Sequence, residues 1–488
     1  MSRSSTVAVP VALRAVDRVA PLLLLGGAVL IGFAIDDRGA RYSNASISMV
    51  AVAAVCIALA VFANPRVTVA RNAARIVAVV AGLAVAGLVA LQVASLVHPS
   101  DPLNLGLVAP FARVPSGRVF AVVALLGAAA LMRSAWLRAF FVVAAAIAVV
   151  AMGSWVMRAP PPRVDVFMFE QVSAHTLVNG HDPYDAAVVR FRDIYGGENY
   201  GPSLTNGSVL DFGYPYPPIS LALVTASNHW WHDPRRVEFA CMAATVLLMF
   251  AFGRSRRSAL LAAAASAVFA TTPRAWYVIR SGYIEPQIVL LLTVTVFCAC
   301  RWRPGLPYAL GVLLVAKQYT PLLLPLTTLL VPWRAIVRRS FLVPMAATAA
   351  VCTLPALFAR GFWRSVVMVQ FLQPFRRDSL SFAAWWANHG HGQPSTALLF
   401  VPAIVAIVLC CRYAPRTPSG FAAASALVLL MFFAFAKQAF PNYYFLVIGA
   451  LCIAVAAYTS PDAAKQDTGS QAAVAHSAIR DHHDRAVT

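Results

Sequence analysis

The residues able to do chemistry gather in a few short stretches of this chain. The richest is VDVFMFEQVSAHTLVNGHDPYD, Val164 to Asp185, directly after a long apolar run. It holds the carboxylates Asp165, Glu170, Asp182 and Asp185 and the histidines His175 and His181. A carboxylate at the mouth of an apolar segment could take the proton of a hydroxyl as that hydroxyl attacks in a group transfer. Asp165 is equally suited to cap a helix, VFMFEQVSAHTLV, that stops at Asn179-Gly180. Spacing leaves both readings open. Phe169, Val172 and Thr176 fall on one helical face with Asp165. Glu170 reads as a helix-surface residue, and Asp182 and Asp185 as flanking a turn.

A second set is cationic. Arg274, Arg280, Lys317 and Lys437 each fall at the expected outer end of an apolar segment, against the usual bias of positive charge toward the cytoplasm. Lys317 interrupts LGVLLVAKQYTPLLLPL, and an ionisable group at such depth is a functional candidate. Snorkelling to the interface is the plainer alternative. Lysine and arginine suit phosphate, arginine through its two-pronged fork. Glu285, in RSGYIEPQ, is a candidate partner for one of these cations. The segments GHDPYD and FGYPYPP are turn-rich and aromatic. His389 and His391 form a weak pair with no further ligand at metal spacing, so no metal site is read there. No Walker, dinucleotide or nucleophile-elbow motif occurs, which argues against a nucleotide-driven machine and against direct nucleotide-sugar chemistry.

The elements that must carry these residues follow from composition. Of 488 residues 60% are hydrophobic and 12% charged, against about 25% charged in ordinary domains. Continuous apolar runs recur from end to end, so the expectation is an all-α, polytopic integral membrane protein. The net charge of +20 fits basic loops on the cytoplasmic side and anionic lipid headgroups better than it fits nucleic acid. The cysteines lie mostly within apolar runs and read as core filler. The N-terminal run ends without a small-residue cleavage site and reads as a first span.

Spans are expected near 19–35, 47–63, 76–97, 119–132 and 139–156. Others follow at the VEFACMAATVLLMFAF segment and near 258–271, 286–300, 305–316, 320–333, 340–358, 395–412, 419–436 and 442–458. The total is about fourteen. YPYPPISLALVTASNHWW is expected to be re-entrant or interfacial, a choice that keeps RSRR, RWR and RAIVRR together in the cytoplasm. Both termini are then cytoplasmic. The loops 98–118, 158–215, 273–287, 317–320, 360–394 and 437–444 share the outer face. The basic, aromatic 360–394 loop is expected to lie on the bilayer surface. The tail from 459 reads as disordered.

The order of these motifs resembles the integral-membrane glycosyltransferases of the GT-C fold. The sequence is most similar to the actinobacterial α-1,2-mannosyltransferases that use polyprenyl-phosphate-mannose, glycosyltransferase family 87. The resemblance rests on the Asp165 helix with GHDPY, then YPPISLAL, RSGYIEPQ, LLVAKQYTPLLLPLTTLL and KQAFPNYYF, and covers roughly 139–458. It implies a bundle of about 13–14 transmembrane helices with interfacial helices in outer-face loops. Residues 1–138 would be a four-helix N-terminal extension, 139–458 the transferase module and 459–488 a cytoplasmic tail. It implies Asp165 as catalytic base, Lys317 and Arg280 on the donor phosphate, His181, Asp182 and Tyr184 at the acceptor mouth, and Tyr216 in the donor cleft. Arg274, Glu285 and Lys437 complete the expected substrate-binding set. SGYIEPQ stands where the family has a Gly-Gln turn, and KQAFPNYY lacks a histidine that the family carries before its last Tyr, for which Lys437 would substitute.

The expected activity is transfer of a sugar, mannose first and arabinofuranose as alternative, from a polyprenyl-phosphate donor to a glycolipid or cell-envelope glycan. It would occur on the outer face of the plasma membrane, with inversion. No cofactor is expected beyond the lipid-linked co-substrate, a divalent metal remaining an open alternative, and no nucleic-acid partner is expected. The rival from another class is a transporter or lipid flippase, with Lys317, Lys437 and the proline-broken helices lining a path.

Overall fold

The computed structural model describes residues 13–39, 41–62, 71–97, 116–158, 163–185, 189–190, 193–194, 200–253 and 255–458. The N-terminal residues before 13, residues 63–70, most of the expected outer loop 98–118 and the expected disordered tail 459–488 lie outside them. Among the described residues the chain is built almost wholly of helices. The one sheet there is a short hairpin, Thr205–Asn206 against Val209–Leu210.

Among the described residues five helices are long and apolar enough to cross a membrane: Val19–Asp36, Asn44–Phe62, Ala135–Val156, Arg339–Leu357 and Thr396–Tyr413. Eighteen residues rise about 27 Å, close to the ~30 Å hydrocarbon core of a bilayer. Shorter apolar helices accompany them, including Arg257–Ala270, Pro418–Ala434 and Pro441–Ala456. The outward faces are apolar: Leu83 and Leu91, Phe140 and Ile147, Val351 and Phe358, Ile404 and Val408 are all exposed. Apolar exterior on this scale suits lipid contact and is a liability in water.

Pro418–Ala434 and Pro441–Ala456 form the centre, with nearly every residue buried. Small residues allow the helices to approach closely. Gly449 is one: a Cβ there would lie 2.7 Å from the Val289 side chain of the Glu285–Arg301 helix. The N-terminal helix Leu13–Asp36 packs on Pro441–Ala456 and Arg256–Ala270, and Asn44–Phe62 packs on Pro418–Ala434. Leu24, Ile31 and Ile35 therefore share one continuous core with Phe269, Phe445 and Leu446. Packing shows no break at residue 138.

Most expected spans fall on helices within a few residues, from Arg71–Val97 and Ser116–Leu131 to Arg236–Ala251 and Glu285–Arg301. The YPPIS segment is a 14-residue helix, Pro218–Trp231, too short to be a membrane-crossing candidate. Two expectations are corrected. The 305–316 span is a nine-residue α-helix, Leu306–Leu314, about 14 Å long. The 320–333 span is not α-helical but two 3₁₀ pieces, Thr320–Leu323 and Pro325–Leu329. Pro321 and Pro325 remove the amides that an α-ladder needs there. Lys317 lies in the break between the Leu306–Leu314 helix and the first of these pieces.

Candidate functional site

The loops and helix ends that follow the apolar helices enclose a cavity of about 790 Å³. Its charged lining is Arg41, Arg163, Asp165, Arg274, Lys317, Arg376, Asp378 and Lys437, six cations against two carboxylates. Its apolar lining includes Leu314, Val315, Leu357, Phe400, Phe432 and Phe433, contributed by or next to apolar helices. Tyrosines 200, 216, 277, 283, 319 and 443 line the space between.

Asp165 opens the helix Asp165–Val178. The N-cap is Val164, one residue earlier than expected, so Asp165 occupies the first helical turn, where the helix dipole favours an anion. Its Oδ1 accepts the Val166 amide at 2.8 Å. Its Oδ2 accepts the Tyr200 hydroxyl. Asn179 closes the helix, and Gly180 at φ +76° turns the chain, as the Asn-Gly signal implies. Tyr200 is a site residue the sequence reading missed. Burial, with the neighbouring Asp165 charge, raises its phenol well above the ordinary tyrosine range, so it stays a hydrogen-bond donor.

Of the four candidate cations, Lys317 is the one that pairs with Glu285. Glu285 Oε1 also accepts the Tyr319 hydroxyl at 3.2 Å and the Asn442 amide at 2.8 Å. The ammonium lies 4.9 Å from the Tyr216 ring centre, 5.4 Å from that of Tyr319 and 5.7 Å from that of Tyr443. The cation thus faces the cavity through an aromatic cage while its counter-ion stands behind it. Gln318 reaches the other way. Its Nε2 donates to the carbonyls of Pro215 and Val366, tying the turn before Pro218–Trp231 to the Trp363–Met368 helix.

The 374–380 segment forms the opposite wall. Arg376 binds Asp378 with both prongs, each at 2.8 Å. The segment is zipped to 437–439 by backbone bonds from Arg376 to Lys437 and from Leu380 to Ala439, both 3.0 Å. Lys437 itself donates to the Phe371 carbonyl at 2.8 Å. Burial would raise the Asp378 carboxyl, but the hydrogen bond and charge of Arg376, with Arg41, outweigh it and hold that carboxyl below its usual value.

Other expected site residues stand elsewhere. Arg280 is buried and is not among the residues that line the cavity. Its position, at the last turn of the Ala275–Arg280 helix, faces Arg235 and Tyr277 instead. His181, Asp182 and Tyr184 are also outside the lining. Asp182 takes the Tyr184 amide at 2.8 Å in a side-chain-closed turn. Tyr184 is buried and donates to the Tyr216 carbonyl at 3.2 Å, so it braces the cavity wall from behind. His389 and His391 stack on Trp385 and Trp386, with ring centres 4.8 and 4.3 Å apart. Among the described residues no group of three His, Cys, Asp or Glu could hold a metal ion.

Glu170 is the largest correction. It is fully buried rather than on the helix surface. The Ser281-Gly282 turn covers it: Gly282 adopts φ +68°, and a Cβ there would stand 2.9 Å from Glu170 Oε2. Burial first, and the nearby Glu238 charge second, push the Glu170 carboxyl well above its ordinary value. Glu238, bonded by the Gln287 amide, is likewise buried. The sequence marks Glu170 as a surface carboxylate and gives no sign of Glu238, which belongs to none of the motifs. No protein-family model, no curated protein and no solved structure matches this chain.

Proposed function

We propose that this chain is a membrane glycosyltransferase that moves a sugar, mannose first, from a polyprenyl-phosphate donor to a hydroxyl of a glycolipid or envelope glycan, on the outer face of the plasma membrane. The observation that carries the reading is a single cavity that joins Asp165, an excess of cations and an apolar wall. Those are the three needs of this reaction: a base, a seat for phosphate and a path for an isoprenoid chain.

In this reading the acceptor hydroxyl loses its proton to Asp165 as its oxygen attacks the anomeric carbon. The bond from that carbon to the phosphate oxygen breaks, and the electron pair leaves with the polyprenyl phosphate. One displacement inverts the anomeric centre. Lys317, Arg274, Arg376 and Lys437 offer positive charge to the departing phosphate, a preorganised form of transition-state stabilisation. Tyr200 holds one Asp165 oxygen and so fixes the orientation of the other. Phe400, Phe432 and Phe433 would meet the first isoprene units.

The test is transfer from radiolabelled polyprenyl-phosphate-mannose, with the arabinofuranose donor in parallel, in membranes that carry the protein. Asp165→Asn should remove at least about a hundredfold of the rate, the usual contribution of a positioned base, while the protein remains folded. Transfer at the wild-type rate by folded Asp165→Asn would end the mechanism. Absence of transfer from either donor by the wild type would end the reading.

A further inference from the structure

The helices before residue 71 have no role in the reaction as drawn so far, yet their first turn ends at the cavity. The Leu13–Asp36 helix delivers Asp36 to within 3.3 Å of the Arg274 Nε, as a close ion pair rather than a hydrogen bond. The Asp36 carbonyl adds a contact at 3.4 Å to the same guanidinium. Both groups are largely buried, with side chains 6% and 15% exposed for Arg274 and Asp36. Arg274 needs such a hold. It stands at φ +61°, the left-handed region that a non-glycine residue rarely adopts. It is also the cap residue of Ala275–Arg280, the helix that presents Tyr277 to the cavity.

The same turn grips the opposite wall. The Tyr42 amide donates to the Asp378 carbonyl at 2.9 Å, and Arg41 pairs with Ser379 as an isolated antiparallel bridge. The Arg41 guanidinium lies 3.9 Å from the Asp378 carboxylate that holds Arg376. The turn is pinned internally, since Asp37 accepts the hydroxyls of Ser43 and Ser46. Further along the N-terminal segment, Gln92 donates to the Val268 carbonyl at 2.9 Å and the Thr271 hydroxyl at 3.1 Å, at the end of the helix that leads into Arg274.

We propose that Asp36 is a positioning residue of the site. It fixes the Arg274 guanidinium in the cavity wall for the anionic end of the donor, while Arg41 and Tyr42 hold the Arg376–Asp378 corner across from it. The N-terminal helices are then a third side of the binding site rather than an appendage. This rests on the transferase reading above. Without Asp36, Arg274 keeps its charge but loses its geometry, so binding of the phosphate group weakens more than turnover of bound donor.

The experiment uses the full chain in membranes, with D36N, D36E and R41A. Two readouts are taken: the KM and kcat for the lipid-phosphate sugar, and direct binding of sugar-free polyprenyl phosphate. D36N should raise KM and weaken polyprenyl-phosphate binding about tenfold or more, with kcat within about twofold, the signature of lost ground-state binding. D36E, which keeps the charge, should recover most of the affinity. If D36N is not recovered folded, R41A carries the test and should weaken the same binding. Unchanged polyprenyl-phosphate affinity in every folded variant overturns the proposal. So does a uniform fall in kcat at constant KM, which a purely structural loss would give. If the wild type neither transfers sugar nor binds polyprenyl phosphate, the transferase reading fails instead, and the two failures are separable.

Discussion

Replacing Lys317 by methionine isolates the central electrostatic contact of the cavity. Lys317 is 4% exposed and its partner Glu285 fully buried. Methionine keeps most of the length and removes the charge. Glu285 then retains only the Tyr319 hydroxyl and the Asn442 amide as donors, both on Oε1, and its Oε2 has no hydrogen-bond partner. Stranding one member of a buried pair costs about 3–5 kcal/mol. Loss of the cation from three tyrosine faces adds to this. Lys317→Met/Glu285→Gln removes the stranded charge, so the double variant should be more stable than the sum of the single losses requires, by at least about 1.5 kcal/mol. The protein supplies its own control. Arg364 and Asp211 form a pair at 2.8 Å with side chains 48% and 55% exposed, for which the same cycle should give about 1 kcal/mol or less. Both cycles are read by reversible denaturant unfolding in one detergent. Equal coupling energies for the two pairs, or a Lys317→Met variant as stable as the wild type, would refute the reasoning that burial sets the strength of this contact.

Three further perturbations test other parts of the structure. Gly361 abuts the Tyr184 carbonyl, 1.9 Å from where an alanine Cβ would stand. Gly361→Ala should therefore lower stability by about 1–3 kcal/mol, whereas Gly201→Ala, with nothing within 4 Å, should leave the thermal midpoint nearly unchanged. Glu170 has its carboxyl raised by burial, so its contribution to stability is present below the unfolded value of about 4.3 and is lost as pH rises through the folded value. Glu170→Gln should then match the wild type below about pH 4 and exceed it progressively as pH rises above that, as read by thermal midpoints across pH. Asp378 runs the other way, because its carboxyl is held low in the fold. Its contribution is full above about pH 4 and fades as pH falls through the folded value. The destabilisation caused by Asp378→Asn should therefore be constant from neutral to mildly acidic pH and shrink in strong acid.

Hydropathy made the bundle legible because a continuous apolar run has one stable backbone in lipid, so the positions of most helices followed from composition alone. It failed at 305–333 for a local reason. The window average there is as apolar as elsewhere, but Pro321 and Pro325 break the α-ladder and a lysine occupies the gap. The site was legible where a charged residue stood against an apolar background, as Asp165, Lys317, Arg274 and Lys437 do, and all four line the cavity. The same rule picked out Arg280, which is buried outside the lining, since exposure at a helix end cannot be told from burial behind it. It passed over Tyr200, Arg41, Arg376 and Asp378, which lie in polar loops where charge is unremarkable and only the tertiary fold brings them to Asp165. Glu170 and Glu238 were hidden for the opposite reason: each sits on a helix whose buried face is decided by neighbours more than forty residues away, Gly282 and Gln287.

The arrangement of buried charge also bears on the rival reading of a transporter. Alternating access calls for polar groups that can face water on either side in turn, held on elements that rock as bodies. Here the buried Glu285 is paired with Lys317, and that lysine is caged by tyrosines on the cavity side. Moving it would strand the fully buried Glu285, at a cost of about 3–5 kcal/mol. The walls around it are cross-tied by Gln318 to the Pro215 and Val366 carbonyls, by the 376–380 segment to 437–439 and by Asp36 to Arg274. A cluster fixed in this way favours a preorganised site over a moving path. Rigid placement of charge around one carboxylate is what a transfer reaction requires, and it is the property that a translocation pathway has to give up.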